Sequence, residues 1–212
     1  MRKLVFCFCM MVITISCVSK KESEAIKQCF NDYRTGILVS SGDQVVPLLN
    51  QNTKNYYQRI LEHIKYSQEP TVYKLNVVDR ILILSTRNKL SKEEIENLDV
   101  ASFLNFAINN HMIIRYDYLF DLAFIEVKEI KKNKAKARIK LNRTSKTLIF
   151  TFTKEMGKWK INLSPIIQLN TYAMSNKVKK MGILEDDFAM DKIKEENNGM
   201  VKKDIWEAPL KR

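Results

Sequence analysis

Glycine, proline and histidine are scarce in this chain, at 5, 4 and 2 of 212 residues. So little Gly and Pro excludes collagen-like repeats, mucin-like stalks and wholesale disorder, all of which need a different composition. Two histidines, His63 and His111, exclude a His-rich metal centre, and no metal site is expected. None of the signatures GxSxG, HExxH, GxGxxG or Walker A occurs, so the nucleophile elbow, zincin, dinucleotide and P-loop chemistries all lack their motif. Nothing calls for a cofactor. What remains is a globular composition, 45% hydrophobic and 28% charged, long enough for one ordinary domain and an appendage.

The N-terminus reads as an address. Arg2 and Lys3 precede an uncharged apolar run, Leu4 to Ile15, and small Ser16 then meets Cys17. The run is too short for a spanning helix, which takes roughly 20 residues to cross about 30 Å of hydrocarbon. It suits the apolar region of an export signal. The stretch Ile13-Thr14-Ile15-Ser16-Cys17 resembles the lipobox of bacterial lipoproteins, with Thr14 where an aliphatic residue is usual. That resemblance implies cleavage after Ser16, acylation of Cys17 and a membrane-anchored protein of the cell envelope. An ordinary secretory signal, or an uncleaved anchor, with Cys17 incidental is the alternative. Cys7 and Cys9 would leave with the signal, so Cys29 would stand alone without a disulfide, a small core residue at helical spacing with Ile26, Phe30 and Tyr33.

The division expected is therefore a signal over 1–16, a lipidated Cys and short polar leash over 17–22, an α+β domain over 23–163 and a C-terminal helical extension over 164–212. Ser23 is placed to cap a helix whose stripe is Ile26, Cys29, Phe30, Tyr33 and Ile37, broken by Gly36 and the Ser40-Ser41-Gly42 cluster. Helices are also expected around Asp43 to Leu49, Tyr57 to Ile64, Tyr73 to Thr86 (where Ile81 to Leu84 alone reads equally as strand), Ile95 and Val100 to Ile108. Pro70 separates the second of these from the third, and Ser91 with Glu94 forms a capping box. From Met112 on, the apolar period becomes two, predicting strands over Leu122–Ile130, around Ala135–Leu141, around Leu148–Thr153 and over Trp159–Leu163. Short connections make them an antiparallel meander covered by the helices. Ser164-Pro165 opens a helix with the stripe Ile166, Leu169, Tyr172 and Ala173, and Phe188 and Ile193 mark another.

Helices first, then long antiparallel strands ending in Phe152-Thr153-Lys154-Glu155-Met156-Gly157-Lys158-Trp159-Lys160-Ile161, resemble the NTF2-like (cystatin-like) fold. The resemblance implies a curved sheet and helix enclosing a cone, lined by aromatics such as Tyr33, Phe124, Phe150 and Trp159 if a small apolar ligand binds there. It implies no activity, since that fold hosts enzymes, binders and interaction modules. In its enzymes a His/Asp or Tyr/Asp pair works at the pocket mouth. Here His111 with Asp117 or Asp121, near Tyr116 and Tyr118, is the corresponding weak candidate for acid/base catalysis. Core packing is the alternative for each aromatic, and a helix C-terminus for His111.

Positive charge is concentrated. Lys128 to Lys160 contains twelve basic residues against Glu129 and Glu155, and so carries most of the formal +12. Lys134, Lys136, Arg138 and Lys140 project from one strand face, with Lys158 and Lys160 near them. A plain solvated strand face and a surface for anionic lipid headgroups both fit. Nucleic acid does not, because no recognition motif accompanies the charge. The leading expectation is a non-enzymatic, lipid-anchored module that binds an envelope protein or a small apolar ligand. A pocket enzyme, or an envelope immunity or assembly factor, is the alternative.

Overall fold

The computed structural model describes residues 2–113, 122–141 and 146–211, with side chains from residue 20 onward. Its first element is set by a stripe. Ile26, Cys29, Phe30, Tyr33 and Ile37 are buried along one side of helix α1 (Arg2–Leu38). This helix overruns the expected bound at its N-terminal end and stops at Leu38, just ahead of the Ser40-Ser41-Gly42 cluster. Ser23 does not begin it, because residues 17–22, expected as a leash, are themselves helical. Gly36 does not break it: a Cβ there would meet Val45 Cγ2 at 2.8 Å, so the bare backbone lets α2 (Gly42–Val45) close onto α1.

Side-chain caps start most of the helices that follow. Asn50 accepts from the Thr53 N–H at 3.0 Å and opens α3 (Gln51–Tyr66). Pro70 sits in the first turn of a short α4 (Glu69–Val72), where its missing N–H is harmless. The helix expected from Tyr73 begins instead at α5 (Val77–Lys89), since the Asn76 carboxamide accepts from the Val78 and Asp79 N–H groups at 3.1 Å. The ambiguous run Ile81 to Leu84 is thus helical. The capping box of Ser91 and Glu94 opens α6 (Lys92–Asn97) as expected, and a second box of Asp99 and Ser102 opens α7 (Val100–Asn109).

Four strands follow, β1 (Leu122–Lys131), β2 (Lys134–Leu141), β3 (Thr147–Glu155) and β4 (Lys158–Asn162), in an antiparallel sheet of order β1-β2-β3-β4. Among the described residues the architecture is α+β, with nine α-helices and this open meander. Alternation holds in β2 to β4: Ala135, Ala137, Ile139, Phe150, Phe152, Trp159 and Ile161 are buried while their neighbours are not. It fails in β1, where the register with β2 shifts between Phe124 and Glu126 and again between Val127 and Glu129. Helix α1 packs on β1 and β4. Phe30 meets Phe150 edge-on at 5.4 Å and tilts against Phe124 at 5.8 Å. The outer edge of β4 is covered, as Leu49 bridges Ile161 and the Asn50 N–H donates to the Ile161 carbonyl at 2.9 Å.

The C-terminal extension comprises α8 (Ser164–Met181) and α9 (Glu185–Glu196). The expected stripe of α8 is split: Ile166 packs half-buried on the main core, while Leu169 and Tyr172 are 51% and 69% exposed. Further along, Val178 is buried with Met174 against Val77 and Phe188. Two buried arginines complete the attachment. Arg80 donates to the Tyr73 and Leu75 carbonyls at 2.7 Å and pairs with Asp186 of α9. Arg87 donates to the carbonyls of His63, Ile64, Ser67, Ile205 and Trp206. Trp206 stacks on Tyr73 at 4.5 Å, and the Leu210 N–H reaches the Lys65 carbonyl at 3.0 Å, so the tail docks on the body.

Candidate functional site

The aromatics expected to line a pocket are packing residues. Tyr33, Phe150 and Trp159 are buried in the main core, and Phe124 packs against it half-buried. Burial without an ionic partner pushes the Tyr33 hydroxyl well above its ordinary range. Cys29 lies beside them and donates Sγ–H to the Trp159 carbonyl at 3.2 Å, and burial pushes its thiol up to about 12, as befits an inert core cysteine. Two surface depressions lie elsewhere. One is bounded by Asn88, Lys89 and Glu196 to Lys202, the other by Leu90, Leu98 and Phe106 with polar neighbours.

His111 follows α7 in the left-handed region, φ 58°, exposed, with Nδ1 3.5 Å from Ser40 Oγ. An acid/base dyad draws its power from a water-poor setting, which this position lacks. Its proposed partners Asp117 and Asp121, and Tyr116 and Tyr118, lie outside the described residues. Among the described residues no group of three or more His, Cys, Asp or Glu is placed to hold a metal ion.

The charged strand face is partly self-neutralised. Arg138 meets Glu126 at 3.3 Å and Lys136 meets Glu129 at 3.2 Å, across the β1–β2 ladder. Hydrogen bonds from Lys128 to Glu126, and from Lys131 to Glu129, hold both carboxyls below their ordinary range. Lys134 and Lys160 share a row through Thr153, and Lys160 Nζ turns back to donate to the Pro47 carbonyl. Lys134, Lys140 and Lys158 are exposed and pair with no carboxylate among the described residues. The free charge therefore gathers toward the strand ends rather than the middle of the face.

A contact the sequence did not announce joins that sheet to the N-terminal segment. Glu22 accepts from Lys154 Nζ at 2.7 Å and from Trp159 Nε1 at 2.6 Å, while Lys154 Nζ lies 5.7 Å from the Trp159 ring centre. The hydrogen bond from Lys154, then that from Trp159, hold the Glu22 carboxyl below its ordinary value of 4.5. Glu22 thus fastens α1 to the β3–β4 hairpin, in the segment expected to be slack. Cys17 belongs to the same helix, and its side chain lies outside the described set. No helix among the described residues is long and apolar enough to cross a membrane. The chain matches no known family model, no curated protein and no solved structure.

Proposed function

We propose that this chain is a bacterial cell-envelope lipoprotein whose export signal, residues 1–16, is removed and whose Cys17 is acylated. Its NTF2-like body then stands at the membrane and binds a partner protein without catalysing a reaction. One observation carries the reading. Ser16 and Cys17 close a charge-free apolar run, and Glu22, a few residues on, is already fastened to Lys154 and Trp159. One acyl chain holds only reversibly and two or three hold durably, so a body fastened this near its anchor is kept against the bilayer.

Helix α1 lying on the inner face of an antiparallel meander supports the NTF2-like part. The outward row of Leu169, Tyr172 and Ala173 on α8 supports a protein partner, because exposed apolar residues at helical spacing suit a facing surface. The packed positions of Tyr33, Phe150 and Trp159 favour that version over a small apolar ligand.

Feeding cells an alkyne-bearing palmitate tests the anchor. Label is expected on the full chain and absent from Cys17→Ser, with the uncut form accumulating under globomycin. Label retained by Cys17→Ser, or a leader removed at another bond, overturns the lipoprotein reading. A photo-crosslinking residue at position 172 is expected to trap one discrete envelope protein. Intact labelling without any such product removes the partner-protein half.

A further inference from the structure

The contacts of α1 with β3 run in opposite order along the two elements: Glu22 meets Lys154, and Phe30 meets Phe150. Between those contacts the helix climbs about 12 Å and the strand about 13 Å, so α1, seated on β1 and β4, crosses the sheet with its N-terminal end toward the β3–β4 turn. Beyond the Glu22 clamp, Cys17 is about 7.5 Å further along the helix, and the tip Met156-Gly157 about 7 Å beyond Lys154. Both leave the same end of the molecule. The β1–β2 turn joins them there, because the Lys154 N–H donates to the Asn133 carbonyl at 2.7 Å.

That end is basic and carries one apolar point. Lys20, Lys21, Lys131, Lys132, Lys134 and Lys158 are exposed around it. Apart from exposed Glu24, its carboxylates are engaged: Glu22 with Lys154 and Trp159, Glu129 with Lys131 and Lys136, and Glu155 with the Gln51 N–H at 3.0 Å. Met156 is fully exposed at the tip. Its backbone is left-handed, φ 49°, followed by Gly157 at 77°, the pairing of a type I′ turn, which favours Asn-Gly or Asp-Gly. A bulky methionine there helps neither the turn nor the core, and its side chain is free to meet a surface outside the molecule.

We propose that the paired hairpin tips form a membrane-contact foot, with Met156 entering the headgroup boundary of an anionic bilayer and Lys132, Lys134 and Lys158 meeting its phosphates. The inference rests on the lipoprotein reading for its geometry, and it differs from the sheet-face expectation in placing the contact at the strand ends. Lysines near an anionic surface contribute about 1 kcal/mol each, and the exposed apolar tip adds to that attraction.

An environment-sensitive fluorescent amino acid, placed at position 156 or, as the control on the sheet face, at Ile149, reads the contact directly in the full chain. The vesicles are phosphatidylcholine with or without phosphatidylglycerol. A blue shift at 156 and none at 149 is expected when phosphatidylglycerol is present. Lys132→Glu with Lys158→Glu is expected to weaken the 156 signal about tenfold or more in lipid titration. A probe at 156 that stays water-like while the protein floats with the vesicles overturns the foot and leaves lipidation intact. Equal shifts at 156 and 149 overturn it as well. A blue shift at 156 in Cys17→Ser protein that no longer floats on neutral vesicles upholds the foot on its own. Met156→Asn is expected to fold as before and lose part of the binding, and full binding by that variant overturns the role of the side chain.

Discussion

The two ends of the chain are held to the same body by opposite means. At the N-terminal side one surface carboxylate, Glu22, bridges Lys154 and Trp159, with side chains about a quarter exposed at the ion pair. At the C-terminal side two guanidinium groups are buried, Arg80 and Arg87, both 4% exposed. Arg87 meets only carbonyl oxygens, with no carboxylate among the described residues, and burial lowers its pKa to about 10. A surface bridge adjusts at small cost, whereas a buried charge leaves several polar groups stranded when removed. The difference teaches that the C-terminal extension is part of the folded body, while the N-terminal clamp is adjustable by pH and salt.

Breaking the stronger hold is expected to have the largest effect. Arg87→Met takes a donor from five carbonyls, of which His63 keeps the Ser67 N–H, and is expected to cost at least about 3 kcal/mol, read by urea denaturation, with proteolysis releasing residues 200–212 first. Arg80→Met removes two carbonyl contacts and the pair with Asp186, for about 2 kcal/mol, and is expected to expose α9 to rapid hydrogen exchange. Glu22→Gln is expected to cost under about 1 kcal/mol at neutral pH. Because the folded Glu22 carboxyl lies below 4.5, its contribution is present above that value and fades as pH falls through the lowered folded value, so the melts of wild type and Glu22→Gln should converge in acid. A gap that widens on acidification would contradict the clamp. Met156→Asn relieves a left-handed methionine and is expected to raise stability by about 0.5 kcal/mol, the smallest effect and the one of opposite sign.

Local chemistry was legible where one residue decides it. The capping box at Ser91 and the strand alternation from Ala135 to Ile139 follow from backbone rules alone and appear where expected. What was missed depends on distant partners. The α8 stripe is legible, but helical spacing says which residues share a side and not which of them are covered, and only Ile166 of the stripe packs on the core. Arg80 and Arg87 were invisible as keystones, since nothing local marks an arginine that will be wrapped by carbonyls from other segments. Asn76 was readable as a cap, yet the apolar residues before it drew the helix start toward Tyr73. For the candidate site, the lysine-rich strands and the exposed hairpin were visible in the sequence, but Glu22 as the fastening point emerges only once α1 lies across the sheet.

The covered outer margin of β4 has a consequence for life at high local density. Leu49 and Asn50 already occupy the hydrogen-bonding positions beside Ile161, so a neighbouring molecule cannot extend the ladder there. At the opposite margin, the irregular register of β1 and its alternating lysines and glutamates make a poor template for an incoming chain. Molecules crowded together can thus collide repeatedly without seeding fibrils.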